Sequence, residues 1–183
     1  MSKTLNRTRS AVIDPSGGQA QDADLTLAPR LTTLSGLTIG LLDNGKVNGG
    51  VLLEELAEAL QGQDNVAQVI IYVKPYAGQP IVDPQLSEIA EACDAVVTAI
   101  GDCGSCSAAT VADGILLERR GVPAVSVVTP AFELSSSAMA QGYGFPGYRF
   151  ATTPHPVSTL DRAEIRGRVP ELRDQVLQVL GVE

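Results

Sequence analysis

The stretch AVVTAIGDCGSCSAATVADGILLERRG, residues 95–121, decides the fold of this chain. It opens with Ala95–Ile100, a short run rich in Val and Ile that Gly101 closes, and such a run is typical of a strand buried on both faces. The motif Cys-Gly-Ser-Cys follows at 103–106, and the next apolar side chains share one face of a helix: Val111, Ile115 and Leu116. Two thiols are therefore predicted at the N-terminus of a helix, where free N–H groups and the helix dipole favour a thiolate.

Strands and helices alternate on both sides of this stretch. The apolar patterns predict strands at 37–42, 69–73, 95–100, 122–128 and 148–153. They predict helices over 51–60, 84–92, 131–141 and about 160–180, besides the helix after the cysteines. Asp83 is predicted to cap the second of these helices, and Ser158 or Thr159 the last. This alternation predicts right-handed βαβ units and a doubly wound, mostly parallel five-stranded sheet of the flavodoxin-like type.

The beginning of the chain differs from the rest in composition. Residues 1–35 contain a polar stretch through Asp24, which is followed by Leu25, Leu27, Leu31 and Leu34. We interpret them as an irregular N-terminal arm whose leucines dock on the body or on a neighbouring subunit. Residues 36–183 are predicted to form a single α/β domain with the cysteine motif at the carboxyl end of the central strand.

The charge and composition of the chain disfavour several classes of partner. Its 183 residues carry a net charge of −8, only 4% are aromatic and tryptophan is absent, so neither nucleic acid nor an anionic membrane surface suits it. Its apolar runs are no longer than strands, and its N-terminus lacks the hydrophobic region of a secretory signal. With three cysteines, two of them three residues apart, we expect a cytoplasmic protein with reduced, working thiols.

Reactive or charged side chains follow four of the five predicted strands. They are Asp43, Asn44 and Lys46 after the first, Lys74 after the second, Asp102, Cys103 and Cys106 after the third, and His155 after the fifth. The fourth strand is followed by Thr129 and Phe132. Because the carboxyl ends of parallel strands meet at one edge, where doubly wound sheets bind ligands, this convergence predicts an active site.

The Cys103–Cys106 pair has three interpretations. In the first, Cys103 is a nucleophile that Cys106 assists or resolves, since a helix start lowers the pKa of a thiol. In the second, the pair is half of a zinc site, which would need Cys93 and His155 to complete it. In the third, both are small buried residues. The first interpretation is favoured, no metal is expected, and Cys93 is predicted to serve in packing.

His155 is the only histidine, and two flanking prolines stiffen its loop. It is predicted to act as a general acid or base, the alternative being a loop histidine that only makes hydrogen bonds. The turn Asp43–Lys46 either holds a substrate carboxylate or carbonyl or is a plain Asn-Gly turn. Neither the Rossmann glycine fingerprint nor the P-loop motif occurs, so nucleotide binding is disfavoured. The candidate substrate-binding residues are Asp43, Asn44, Lys46, Asp102, Gly104, Ser105, Thr129 and Phe132.

Gly101-Asp102-Cys103-Gly104-Ser105-Cys106, with the downstream Gly121-Val-Pro strand, resembles the UGSC family, which is named for a Sec-Gly-Ser-Cys motif. Further matching segments are Asp14-Pro15, Leu41 to Lys46, Thr129 to Phe132 and Pro154-His155-Pro156. The resemblance covers the chain from about residue 12 onwards. It implies that Cys103 stands at the selenocysteine position, and therefore that Cys103 is the attacking group and Cys106 its partner.

We therefore expect an enzyme of the UGSC type that uses a Cys103 thiolate on a small activated, carboxylated substrate, by thiol redox or covalent-adduct chemistry. Cys106 is expected to resolve Cys103 by thiol–disulfide exchange, His155 to move the proton, and Asp102 and Lys46 to orient the substrate. No cofactor is expected, with an external thiol as reductant if electrons are transferred. The chain is expected to form a homo-oligomer or to pair with a related subunit. Two alternatives stay open: a non-redox lyase or hydrolase with the same nucleophile, and a metal-binding or non-catalytic subunit of a larger complex.

Overall fold

The computed structural model describes residues 26–182, and within them five parallel strands form one sheet. The strands are β1 (Thr38–Asp43), β2 (Gln68–Val73), β3 (Ala95–Gly101), β4 (Ala124–Val128) and β5 (Ala151–Thr152). They lie in the order β2-β1-β3-β4-β5, which is the order of the flavodoxin-like sheet. The predicted fold class is therefore confirmed.

Helices cover both faces of this sheet. They are α1 (Gly49–Gln63), α2 (Gln85–Ala92), α3 (Gly104–Glu118), α4 (Glu133–Gly142) and α5 (Arg162–Leu180), with a 3-10 turn at Pro130–Phe132. Successive strand residues face opposite sides: Val125 and Val127 pack with α1 and α5, whereas Ala124 and Val128 pack on the side of α2, α3 and α4. The central strand β3 is buried over its whole length, as a parallel strand covered on both faces must be.

A close approach at the end of β3 sets α3 directly upon the strand. A Cβ atom on Gly101 would lie 2.8 Å from Cα of Ser107 and 2.8 Å from Cγ1 of Val128, distances that no side chain tolerates. Glycine at this position therefore allows the first turn of α3 to contact the sheet edge. This contact places the cysteine motif at the carboxyl end of the central strand.

Several element boundaries differ from the prediction by one to three residues. β5 is only two residues long, because the Tyr148 amide donates to the Phe145 carbonyl and so lies in a turn rather than in the strand. Helix α2 begins at Gln85, one residue later than predicted. The N-cap is therefore Pro84 and not the predicted Asp83, whose carboxylate lies one residue earlier and accepts the amide of Ser87 at 3.2 Å.

The cap of α5 is neither Ser158 nor Thr159, and that prediction is wrong. Asp161 accepts the amide of Glu164, and the Glu164 side chain accepts the amide of Asp161 in return, which makes a capping box. The Ser158 amide is used elsewhere, since it donates to Asp102 at the sheet edge. The residues before α5 therefore belong to a loop that takes part in the candidate site.

The predicted N-terminal arm is described only from residue 26, so Leu25 and everything before it lie outside the described residues. From there the chain runs along the body: Leu34 is buried in the core, and the Leu31 amide donates to the Leu180 carbonyl at 2.8 Å. The buried carboxylate of Glu118, at the end of α3, accepts the Ala28 amide at 2.7 Å. The guanidinium of Arg30 lies 2.5 Å from the same carboxylate.

None of the helices in residues 26–182 combines the length and the apolar character that crossing a membrane requires.

Candidate active site

Cys103 and Cys106 form the centre of the candidate site. They are joined by a disulfide in this structure, which differs from the expectation of reduced thiols. Cys103 is the N-cap of α3, and its Sγ accepts the backbone N–H of Cys106 at 3.3 Å. The two sulfurs are therefore close enough to exchange between dithiol and disulfide at a helix N-terminus, where the free amides and the dipole favour a thiolate.

The two sulfurs differ in their access to solvent. Cys106 is only 2% exposed, whereas Cys103 is half-buried and follows the sheet edge directly. The hydroxyl of Ser105, on the exposed first turn of α3, lies 3.8 Å from Sγ of Cys103. The Ser107 hydroxyl donates to the Cys103 carbonyl at 2.7 Å and secures that turn. Of the pair, Cys103 is the sulfur that an approaching molecule reaches first.

Asp102 and His155, which are 53 residues apart in the chain, form a hydrogen-bonded pair beside the cysteines. Nδ1 of the imidazole lies 2.8 Å from Oδ1 of Asp102. The second oxygen accepts the amides of Val157 and Ser158 at 3.1 and 3.2 Å. An ionised carboxylate only accepts hydrogen bonds, so the proton of a neutral imidazole lies on Nδ1 and its Nε2 carries the lone pair. This arrangement can take up and release a proton at Nε2.

The imidazole of His155 and the carboxylate of Asp102 differ in their exposure to solvent. The Asp102 side chain is 5% exposed and the His155 side chain is 40% exposed. Phe132, on the 3-10 turn after β4, presents a T-shaped ring contact to the imidazole at a centroid distance of 5.5 Å. The imidazole is thus packed on one side and open on another, while the carboxylate is enclosed.

Three of the predicted substrate-binding side chains make hydrogen bonds within the fold: Asp102, Asn44 and Thr129. Asp102 uses both oxygens on His155 and its loop, as above. Asn44 is 2% exposed, and its amide donates to the Ile100 carbonyl at 2.9 Å and to the Thr110 hydroxyl at 3.2 Å. Thr129 is fully buried and donates to the Gly101 carbonyl at 3.1 Å. These side chains support the sheet edge instead of lining an open surface.

Asp43 closes the turn after β1. Its carboxylate accepts the Gly45 amide at 2.8 Å and lies against the start of α1, where a Cβ atom on Gly50 would be 2.9 Å away. Burial raises the pKa of Asp43; the Gly45 hydrogen bond opposes this shift and nearby Glu54 adds to it. Asp43 therefore stabilises the turn at 43–46, which was predicted as either a substrate-binding turn or a plain Asn-Gly turn.

The remaining predicted substrate contacts are accessible. Lys46 is half-buried, Gly104 and Ser105 are exposed on the first turn of α3, and Phe132 is half-buried beside the histidine. Together with Cys103 and His155 they are the predicted side chains and backbone amides that a bound molecule could touch.

Lys74, expected as a charged group at the end of β2, is instead part of a buried ion pair that sequence reasoning did not find. Its Nζ contacts the Asp113 carboxylate of α3 and donates to the Gln79 carbonyl at 2.7 Å. The Ile81 amide donates to the other Asp113 oxygen at 2.6 Å. Burial raises the pKa of Asp113 to about 6, against the opposing effect of Lys74.

This ion pair holds the loop between β2 and α2 against α3. At the tip of the loop, a Cβ atom on Gly78 would lie 3.4 Å from the Ser105 hydroxyl, so the loop borders the cysteine motif. The same loop lines a cavity of about 310 Å³ whose walls include Tyr76, Pro80 and Val82. The β2–α2 loop is thus a second loop that borders the candidate site, besides the loop that carries His155.

Cys93 is a buried free thiol at the end of α2, and its predicted packing role is confirmed. Its Sγ lies against β1, where a Cβ atom on Gly40 would be only 2.8 Å away. Burial raises the pKa of this thiol, and a contact with Tyr72 opposes the shift. In the part of the chain that the structure describes, no three His, Cys, Asp or Glu side chains gather as a metal ion requires.

The fold and the site together define a doubly wound α/β protein with a Cys-X-X-Cys pair at a helix N-terminus. The chain belongs to the UGSC family: the model of that family matches residues 11–182, which confirms the resemblance drawn from the motif. A comparison with curated proteins gave no match.

The comparison with solved structures found that of the FMN-dependent cysteine decarboxylase SpaF. It shares 12% sequence identity, covering 75% of this chain and 97% of that chain at a TM-score of 0.37. That enzyme is FMN-dependent, and the expectation that this chain needs no cofactor is withdrawn. A likeness of this size carries no argument about which cofactor this chain itself would bind.

Proposed function

We propose that this protein is an enzyme in which a Cys103 thiolate attacks a small, electrophilic, carboxylated substrate. The observation that carries the proposal is the pairing of Cys103 with Cys106 at the start of α3, directly after the Asp102 that holds His155. Nucleophile, resolving thiol and proton carrier thus meet at the edge where doubly wound sheets bind ligands.

Cys103 is the attacking sulfur in this proposal. It is the more accessible of the two, and the Cys106 amide that donates to its Sγ would stabilise the thiolate in the reduced protein. The exposed amides of Gly104 and Ser105, with Lys46 after β1, are the groups proposed to bind the substrate carboxylate.

The redox form of the reaction balances as follows. The Cys103 thiolate displaces a leaving group from the substrate carbon and forms a carbon–sulfur bond. The Cys106 thiolate then attacks Sγ of Cys103, the sulfur–sulfur bond forms, and the carbon departs with the electron pair and takes a proton from His155. The substrate gains two electrons, the thiols lose two, and the disulfide of this structure is the oxidised product. Two equivalents of a thiol reductant restore the dithiol.

A non-redox lyase or hydrolase is the second candidate, and the Asp102–His155 pair favours it. A nucleophile, a base and a group that orients the base are the usual parts of covalent catalysis without electron transfer. In that case Cys106 contributes only its backbone amide to Cys103. Activity that persists in Cys106→Ser without added reductant would select this candidate.

Alkylation of the reduced protein tests the proposal without knowledge of the substrate. We expect iodoacetate, a small electrophilic carboxylate, to modify Cys103. The pH at which the rate is half-maximal should lie well below the ordinary thiol pKa of about 8.5. The rates are measured by mass mapping between about pH 5 and pH 10 in the wild type and in Cys106→Ser. Iodoacetamide is the uncharged control and should react more slowly than iodoacetate. A Cys103 that reacts only above pH 8.5, equally with both reagents, would contradict the proposal.

We also propose that the chain associates with a second copy or with a related subunit. The edge strand β2 leaves Ile71 45% and Val73 59% exposed, an apolar edge that an isolated chain would expose to water. Sedimentation at several concentrations tests this, and a monomer at every concentration together with no co-purifying subunit would contradict it.

A further inference from the structure

The loop that carries His155 is held by side chains from two other elements. Nδ2 of Asn48, the residue before α1, donates to the carbonyl of Val157 at 3.0 Å and to that of Leu160 at 2.8 Å. Arg168 of α5 donates through Nη1 to the carbonyls of Pro154 and Pro156, the latter at 3.2 Å. The carbonyls on either side of the histidine are thus held by α5, and those of Val157 and Leu160 by the residue before α1.

The contacts meet at Val157, two residues after the histidine. Its amide donates to Asp102 and its carbonyl accepts from Asn48, while its side chain is fully buried. The peptide groups on both sides of this residue are therefore fixed. The hydrogen bond between Asp102 and the imidazole depends on the same frame, because one carboxylate serves both the ring and the Val157 amide.

Asn48 also connects this loop to the turn after β1. Its backbone has a φ of 66°, in the left-handed region that asparagine tolerates better than most residues. The turn that it ends begins at Asp43 and includes Lys46. A single side chain therefore links the proposed substrate-binding turn to the loop of the proposed acid–base group.

We propose that Asn48 and Arg168 are positioning residues, which hold the His155 ring with Nδ1 toward Asp102 and Nε2 toward the reacting atoms. This inference rests on the proposed role of His155 as proton carrier. Without these two side chains the loop carbonyls lose their donors, the loop moves away from Asp102, and the imidazole is free to rotate and to exchange its tautomers.

The tautomer of the ring can be measured directly, because the chain contains one histidine and its signals need no assignment. Nitrogen-15 NMR of the imidazole distinguishes a proton on Nδ1 from one on Nε2. In the wild type at about pH 8, where histidine is ordinarily neutral, we expect the Nδ1–H form to dominate. Loss of one positioning hydrogen bond should change the ratio of the two tautomers about fivefold.

The variants are Asn48→Gly and Arg168→Gln. Glycine adopts the left-handed backbone freely, so Asn48→Gly removes the side-chain donor without adding backbone strain. The control is Arg173→Gln on the same helix, which breaks an ion pair with Asp64 away from the loop. Urea unfolding of each variant checks that the tautomer ratios of folded proteins are compared.

The expected result is a shift toward the Nε2–H tautomer in Asn48→Gly and Arg168→Gln, and a wild-type ratio in Arg173→Gln. A wild-type ratio in both loop variants would overturn the inference. The measurement does not involve Cys103, so a failure here is distinguishable from a failure of the proposed function, which the alkylation kinetics report.

Discussion

Nδ1 of His155 lies 2.8 Å from Oδ1 of Asp102, the residue directly before Cys103. A single peptide bond therefore joins the carboxylate that orients the imidazole to the proposed nucleophile. Because Asp102 also accepts the amides of Val157 and Ser158, the ring and its loop are both held by the residue that precedes the sulfur. The relative position of the ring and the sulfur is determined by the backbone at the end of β3 more than by either side chain.

Substitution of Gly101 should disturb this frame. In Gly101→Ala the new Cβ would lie 2.8 Å from Cα of Ser107, so the backbone of the first turn of α3 must move. We therefore expect a loss of about 1–3 kcal/mol in the free energy of unfolding. Cys103 should also alkylate more slowly, since the first turn of α3 is displaced. Gly104→Ala is the control within the same motif, because a Cβ there meets nothing within 4 Å. Equal stability of the two variants in urea unfolding would refute the close approach.

Cys93 should be inert where Cys103 reacts. Burial raises the pKa of the Cys93 thiol and also excludes reagents from it. After reduction, iodoacetamide at neutral pH should label Cys103 at least about tenfold faster than Cys93, as read from peptide masses over time. In urea the two should react at similar rates, which serves as the control. Comparable labelling in the folded protein would mean that the α2 end opens readily.

The stability of the protein should fall as pH rises through the range of Asp113. Burial raises the pKa of this carboxyl from 3.8 to about 6, so between these values the folded chain holds a proton that the unfolded chain releases. The free energy of unfolding should therefore decrease from pH 4 to about pH 6, and this slope should be smaller in Asp113→Asn. Urea unfolding across this range is the measurement. A slope unchanged by the substitution would show that Asp113 does not titrate there.

Glu55 should have the opposite effect at lower pH. Hydrogen bonds from Arg166 and Arg162 lower the pKa of its carboxyl from 4.5 to about 2. The folded state thus binds the proton less readily than the unfolded state, so this stabilisation is present above 4.5 and is lost as pH falls toward 2. Glu55→Gln should remove this part of the acid sensitivity in urea unfolding. The control is Glu54→Gln, since Glu54 is an exposed partner of Arg162, and this variant should retain the acid sensitivity.

The sequence predicted those parts of the site that depend on local pattern. The apolar run of β3, the glycine that ends it and the thiols that follow are neighbours in the chain, so their arrangement follows from strand and helix geometry. Asp102 and His155 are each predicted as site residues, but their pairing spans 53 residues and is not predicted. A charged side chain at a strand end cannot reveal from sequence which distant residue it will meet.

The same reason explains the role of Lys74. Its partner Asp113 lies 39 residues away in the middle of an apolar helix, and only the tertiary structure brings the two together. The cap of α5, by contrast, had a local signal: Asp161 and Glu164 have the spacing of a capping box. Asn48 carried no such signal, because a turn asparagine gives no indication of a contact more than 100 residues later.

Helix α3 carries the cysteine motif and contacts two segments that are remote from each other in sequence. Its first turn carries the cysteines, its middle anchors the β2–α2 loop through Asp113, and its last turn binds the segment at Ala28 and Arg30 through Glu118. The helix is therefore fixed at its start, centre and end, and it cannot slide or rotate without breaking buried charged contacts. Thiol–disulfide exchange needs two sulfurs that stay within bonding reach of each other, and a helix held in this way keeps the turn that carries both of them in place.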